Sequence, residues 1–557
     1  MSGVLLLTGV LLFGLLLSPT SALARGEQAP VPPGTPSVVT IYPNGSISSP
    51  SAPIARNGNV YSLTADLTGS IVIEHNGSTL QGTPFSIDYA AGGNGFAVTL
   101  QSVQNVTLTG LHVADAPNGS VRIAASSNVS VINNDLAIDP APLNGIFATS
   151  SEGVTIQSNT LGNATAAVVE FQSVTWSNVS SNTFTPGIGY AFYIASSSEF
   201  NLSGNAAAET DGAYLLEDSS FSVFDNSMPN SEYGFFGQGI ISYRNQGGTI
   251  IGNNLVNDTY PFISTFDQNM TISGNNFTAQ PGFMMYSVNF QNDVNITFSD
   301  NIVSNLQQVY LLRSNTVAIL ANSISANWGS GIYVDDSQNT VVAHNVFSGD
   351  SFAVEELGDA SGLLFTHNTF QTPAVGVGVY SSNASNIVIA NNNFAPISGL
   401  ALQLTTSSQI SVVNDEFAGA PSGIALTNDS AIQVAQNTFT GAGPVVIGGA
   451  VGSLSVNDNS FTATATLSVS AAAGAGAQFT ITSNEFRNDV NPLTISGWTG
   501  GAVTENSIAT WSGSAGILGT GLMSTSFDAN VVSGGPAAVP DLALVGSDGT
   551  FVTGNTL

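Results

Sequence analysis

One phrase recurs along most of this chain: a β-branched triplet, two variable residues, an Asn, one further residue and a large apolar side chain. It reads Val154-Thr-Ile-Gln-Ser-Asn-Thr-Leu161, Met270-Thr-Ile-Ser-Gly-Asn-Asn-Phe277, Leu363-Leu-Phe-Thr-His-Asn-Thr-Phe370, Ile387-Val-Ile-Ala-Asn-Asn-Asn-Phe394 and Phe479-Thr-Ile-Thr-Ser-Asn-Glu-Phe486. The anchor falls at Asn134, Asn159, Asn182, Asn205, Asn226, Asn253, Asn275, Asn301, Asn322, Asn345, Asn368 and Asn392, then Asp415, then Asn437, Asn459, Asn484, Asn506, Asn530 and Asn555. That is 421 residues in 18 steps, a period of about 23, with Leu111 in the slot of a degenerate earlier copy. No 3.6-residue apolar periodicity accompanies it. A 23-residue period of short β-rich segments fits a coil of three strands per turn, each coil pairing with the next at about 4.8 Å. A single coil cannot bury its apolar face, but 19 or 20 stacked coils share one core in a rod about 90 Å long. The predicted fold is therefore all-β, a parallel β-helix solenoid. Asn159, Asn182, Asn275, Asn345, Asn368, Asn392, Asn437, Asn459 and Asn484 are expected to form a structural ladder, with Asn taking the left-handed backbone at the bend and its amide bonding the coils above and below.

Counting from the anchor separates core from surface. Positions minus 5, minus 3 and plus 2 are persistently apolar, while minus 1 is usually polar (Ser158, Ser181, Asp225, Asp300, His344, His367, Asp458). Minus 13 and minus 11 are also mostly apolar, so two-residue alternation turns minus 12 outward. That slot reads Arg122, Phe147, Glu170, Tyr193, Tyr214, Ile241, Ile263, Asn289, Tyr310, Tyr333, Glu356, Tyr380 and Gln403. Five of the 13 Tyr share it. Such a column has two readings: cross-strand aromatic packing that stabilises neighbouring coils, or a row of flat faces on which a sugar chain lies. On the second, Phe147, Tyr193, Tyr214, Tyr310, Tyr333 and Tyr380 are the carbohydrate-binding candidates.

Composition excludes several classes. Six Arg and no Lys against 36 Asp+Glu give a net charge of −30, which repels nucleic-acid phosphate and anionic lipid. With no Cys and four scattered His, neither a disulfide framework, a thiolate metal site nor a histidine metal centre is expected, and no cofactor is implied. The apolar run Val4–Leu17 followed by Ala22-Leu23-Ala24 reads as a signal peptide over residues 1–24. Residues 25–58 read as a Pro-rich linker and the start of an N-terminal cap, and 59–557 as the β-helix. Fourteen Asn-x-Ser/Thr sequons, Asn44, Asn105, Asn128, Asn178, Asn269, Asn295, Asn383 and Asn428 among them, are potential glycan sites on an exported chain. The expected location is secreted or on the cell surface, without membrane insertion after signal cleavage.

The repeated Val-Thr-Ile-x-x-Asn-x-Phe phrase resembles the right-handed parallel β-helix repeats of the NosD-like and CASH (carbohydrate-binding and sugar hydrolase) families. The segment Tyr61-Ser-Leu-Thr-Ala-Asp-Leu-Thr-Gly-Ser-Ile-Val-Ile73 is similar to the opening of such proteins. The resemblance runs from about residue 59 to the end. It implies the fold far more specifically than a function, since lyases, glycosidases, adhesins and accessory proteins share this coil. The copper association of NosD finds no matching Cys or His/Met cluster here.

For catalysis, the best candidates are Asp335 and Glu356, which the slot arithmetic places outward on adjacent coils. Their expected diagonal of about 8 Å falls in the range of inverting glycosidases. The Asn-Thr-Asp, Gly-His-Gly and Arg-x-Lys motifs of polygalacturonases are missing, and Arg313 is the only Arg between Arg244 and Arg487, which disfavours a lyase. His344 and His367 should stack on adjacent coils as an ordinary surface pair. Three readings result: a glycan-binding β-helix that is not an enzyme, a structural envelope or stalk protein, or an inverting, metal-independent polysaccharide hydrolase. The polysaccharide or cell-surface glycan is the expected partner, with end-to-end self-association at the last coil a further expectation.

Overall fold

A computed structural model describes residues 37–557 except 90–94, 138–141, 163, 188, 230–236, 281–285, 372–374, 396, 420–421, 464 and 472–477. The expected signal peptide and residues 25–36 of the expected linker and cap segment lie outside the described residues. Every described element is a strand or a turn, and no described helix is long and apolar enough to cross a membrane.

The chain winds as a parallel β-solenoid. A representative coil contributes Ser330–Asp335 to a first sheet, Gln338–Ala343 to a second and Val346–Ser348 to a third. The next coil lays Phe352–Leu357, Leu364–Thr366 and Thr369–Phe370 on these three strands in parallel register. Strand segments follow the apolar alternation: in Ser330–Asp335, Ile332 and Val334 point into the core and Tyr333 points out. Ahead of the regular coils, Ile54–Asn57 and Val60–Leu63 form an antiparallel hairpin. Buried Tyr61 donates its hydroxyl to Gly45 O at 2.8 Å. Parallel stacking begins before residue 59, because Ser37–Ile41 already lies on Leu67–Ile73. At the other end Val552, the register partner of buried Phe527, is 46% exposed, and Phe551 beside it is 65% exposed.

The Asn anchors are buried and linked coil to coil. Asn345 Nδ2 donates to Asn368 Oδ1 (3.1 Å) and to Ile319 O (2.9 Å), and Asn345 N donates to the same Asn368 Oδ1 (2.9 Å). The pattern repeats from Asn134 to Asn555. One detail of the expected turn chemistry is corrected. The left-handed residue is not the Asn but the one before it, as at Asp225 (φ 53°), His344 (φ 59°), His367 (φ 55°) and Gly252 (φ 66°). The bend sits in this exposed position, where the side chain projects to water, and it turns the following Asn inward.

Two positions after most anchors the core carries a large apolar side chain. Phe394, Phe417, Phe439, Phe461 and Phe486 stack face over face with centroids 4.7–4.9 Å apart and planes within 6°. Removing one ring leaves both neighbours without a face, and close-packed coils cannot collapse to fill the gap. Phe439→Ala is expected to cost about 3–5 kcal/mol, read as an earlier first transition in urea, because long repeat arrays do not unfold in one step.

Candidate functional site

The outward slot is a continuous column on the first sheet. Register runs Arg122, Phe147, Glu170, Tyr193, Tyr214, Ile241, Ile263, Asn289, Tyr310 and Tyr333, each directly over the last. The next member differs from expectation. Tyr333 pairs with Glu355, not Glu356, and Glu355 pairs in turn with Tyr380, which is followed by Gln403. The cause is one extra residue in the turn after this strand. Asp335 pairs with Leu357, 22 residues on, whereas Gln338 bridges to Ser361, 23 residues on. The insertion falls at the turn containing Gly358 (φ 76°). A register slip of one residue exchanges the two faces of a strand, so Glu356 goes inward.

That slip removes the expected acid pair. Glu356 is 1% exposed and accepts a hydrogen bond from the Ser381 hydroxyl at 2.9 Å. Burial pushes its carboxyl up to about 7. A carboxyl enclosed in the core cannot flank a glycosidic bond, so Asp335 and Glu356 do not form the two-carboxyl arrangement of a hydrolase. Asp335 itself faces out and accepts the Tyr310 hydroxyl at 3.3 Å, while Glu355 accepts the Ser330 hydroxyl. Burial, then the charge of neighbouring Asp336, raises the Asp335 carboxyl.

The aromatic column is denser than the single slot revealed. Tyr190, Tyr193, Tyr214, Tyr243, Tyr260, Tyr310, Tyr333 and Tyr380, eight of the 13 Tyr, stand half-buried on the outer face of this sheet. Tyr193 and Tyr214 stack at 5.4 Å with planes 7° apart, and Tyr190 leans on Tyr214 at 5.5 Å. Tyr260 stacks on Tyr286 at 4.4 Å. Farther along, Tyr310 tilts against Tyr333 at 5.4 Å, and Phe352 against Tyr380 at 5.6 Å. Sequence reasoning missed Tyr190 and Tyr260 because these strands pass two consecutive residues inward before the next outward one, as in Tyr190-Ala191-Phe192-Tyr193. Strict alternation looks two residues upstream and not three. Phe147 stacks on Phe96 at 6.5 Å, near the start of the column and apart from the tyrosines.

Burial among rings, reinforced by nearby carboxylates, raises the hydroxyls of Tyr190 and Tyr310 and lifts Tyr333 up to about 12. They remain neutral donors at any physiological pH. The carboxyls of Glu170 and Asp211 beside the first group of rings are raised chiefly by burial. The face therefore offers apolar rings edged with hydroxyl, carboxyl and amide groups, such as the Tyr190 hydroxyl bonded to Gln238 Oε1 at 3.0 Å.

His344 and His367 stack on adjacent coils at 4.9 Å, on the exposed position before the anchors. Among the described residues no three His, Cys, Asp or Glu side chains group as a metal site.

The family described as right handed beta helix region matches residues 238–394 and 356–509, and the family described as periplasmic copper-binding protein (NosD) matches residues 71–260. The side chains in that second segment do not fit a copper ion. His75 is tied to Pro43 O and Asn59 Oδ1, His112 pairs with Asp135 at 3.0 Å, and Met228 is enclosed in the core. No curated protein matches the chain. Among solved structures, DFA-IIIase from Arthrobacter chlorophenolicus A6 without its lid in complex with GF2 is similar at 14% identity and a TM-score of 0.31, over 45% of this chain and 65% of that one. The Dettilon tailspike protein is similar at 12% identity and a TM-score of 0.32, over 61% of this chain and 68% of its own. The GH136 lacto-N-biosidase from Eubacterium ramulus is similar at 12% identity and a TM-score of 0.26, over 51% and 58%. With coils stacked in parallel register and the right handed beta helix region matching residues 238–509, the chain is a right-handed parallel β-helix protein, similar to NosD over residues 71–260.

Proposed function

We propose that this protein is a secreted or cell-surface β-helix that binds a polysaccharide or glycan along the tyrosine-bearing face of its first sheet. The observation that carries the reading is the concentration of half-exposed tyrosines on one sheet, with ring faces stepped at the coil rise and carboxyl and amide groups between them. Structural stacking alone would be served equally well inside the rod, where the Phe column already supplies it. On the outside the rings are only half-buried, and half-exposed aromatic rings with adjacent hydrogen-bonding groups suit the C–H faces and hydroxyls of sugar rings.

The test is binding to insoluble and soluble polysaccharides by pull-down and affinity electrophoresis, with wild type against Tyr214→Ala and Tyr333→Ala. Each substitution is expected to weaken binding about tenfold, in line with a loss of about 1.4 kcal/mol for one aromatic contact. Retention by no polysaccharide in the panel would leave the face as coil-to-coil packing and return the protein to the stalk reading.

A further inference from the structure

The tyrosine face is not uniform, and its division carries information about the ligand. One platform is made by Tyr190, Tyr193 and Tyr214, with Glu170 and Asp211 at its edges. A second is made by Tyr310, Tyr333 and Tyr380, with Asp335 and Glu355. Between them the central slot carries Ile241, Ile263 and Asn289, with Tyr243 and the Tyr260–Tyr286 stack to its sides. Tyr214 and Tyr310 are four coil steps apart, about 19 Å, and the whole run from Glu170 to Tyr380 is nine steps, about 43 Å.

The charge beside the two platforms is predominantly negative. Four carboxylates edge the platforms. Arg313 is paired with Asp336 at 3.8 Å and Arg244 with Glu217 at 3.4 Å, and Arg122, the cation in the column itself, lies two coils before Glu170. On a chain of net charge −30, such a surface repels uronate or sulfated polymers.

Resting on the glycan-binding reading, we propose that the ligand is one long neutral polysaccharide chain lying parallel to the rod axis and engaging both tyrosine platforms at once. The second platform then binds intramolecularly, and its effective concentration is set by the chain that spans the stretch between the two. Linkage of this kind raises affinity about 100-fold or more without any new contact.

The experiment is a length series by isothermal titration: cello-, xylo- and manno-oligosaccharides from disaccharide to dodecasaccharide, their parent polymers, and the anionic controls polygalacturonate and alginate. Two double variants accompany it, Tyr193→Ala/Tyr214→Ala and Tyr310→Ala/Tyr333→Ala. Leu versions of both keep the apolar burial while removing the flat ring, in case the Ala forms misfold. In at least one neutral series, short oligomers are expected to bind weakly at two sites per protein, each double variant abolishing one. Long oligomers are expected to bind at one site, about 100-fold more tightly, and either double variant should return them to short-chain affinity. Short-oligomer binding with no gain in affinity on lengthening overturns the two-platform arrangement and leaves the glycan reading standing. Tighter binding of polygalacturonate or alginate than of every neutral polymer overturns the neutral assignment alone. Absence of binding across the whole panel overturns both.

Discussion

The melting temperature of this protein is expected to rise as pH falls from 8.5 to 5, opposite to the trend of a fold held by ionised carboxylates. The groups responsible are inside the solenoid. Burial lifts Asp218 and Asp293 to about 8, Asp350, Glu356 and Asp415 to about 7, and Asp267 and Asp429 to about 6. Asp218, Asp267 and Asp293 also lie in one polar ladder with Asn245. The amide of Asp218 donates to Asn245 Oδ1, that of Asn245 to Asp267 Oδ1 and that of Asp267 to Asp293 Oδ1, at 2.6–2.7 Å. The groups acting on these seven carboxyls are backbone amides, hydroxyls, side-chain amides and other carboxyls, with no guanidinium to favour the charge.

In the unfolded chain these side chains titrate near 4. Between about pH 4 and 8 the folded state therefore binds more protons than the unfolded one, and stability falls as pH rises. The contribution is complete below about pH 4 and is lost as pH passes 6 to 8. One group displaced by two units is worth about 2.7 kcal/mol, so several together give a large effect. Circular dichroism melts at pH 5.0, 6.5, 7.5 and 8.5 check it. A melting temperature that is flat or increases with pH would show that these carboxyls are charged in the fold.

The second large effect concerns the rungs of the Asn ladder. Asn345→Ala removes the donor to Ile319 O and to Asn368 Oδ1 and the acceptor for both the backbone N and Nδ2 of Asn322. No water reaches this position, since Asn345 is fully enclosed. Each buried group left without a partner costs about 1–3 kcal/mol, and a loss of about 3 kcal/mol or more is expected.

Asp415 allows the converse substitution. It occupies an Asn slot and accepts from Asn392 N at 2.7 Å and Asn392 Nδ2 at 2.9 Å through Oδ1, but its Oδ2 has no partner. At the corresponding place on the next rung, Asn437 Nδ2 donates to Val412 O and to Asn459 Oδ1. An ionised carboxylate has no hydrogen to offer there. Asp415→Asn is expected to stabilise by about 1 kcal/mol or more at pH 8.5, with a smaller gain at pH 5 where the native carboxyl carries its own proton. Equilibrium unfolding of Asn345→Ala and Asp415→Asn at both pH values tests the pair. Equal gains for Asp415→Asn at the two pH values would mean that its carboxyl is not neutral in the native rod.

How much was legible in the sequence follows from which spacing each feature obeys. The Asn period was sufficient to place the ladder, the Phe column and the outward strip from Arg122 to Tyr333, because every coil in that stretch keeps the same count from strand to anchor. Glu356 shows where counting ends. One extra residue in the Gly358 turn leaves the anchor spacing at 23 and still reverses which of two adjacent glutamates meets water. The missed Tyr190 and Tyr260 have a similar origin in a local departure from two-residue alternation.

Sequence by itself determined that the chain winds into stacked parallel coils with Asn at each bend, because a repeated pattern of apolar and turn-forming residues has few ways to satisfy backbone hydrogen bonds and bury a shared core. Tertiary structure alone decided which carboxyls are enclosed, which side of the bend carries the left-handed residue, and that Tyr190 and Tyr260 join the outer face. Those outcomes depend on strand register between coils, and register is set where turns differ in length, by contacts between residues more than twenty positions apart.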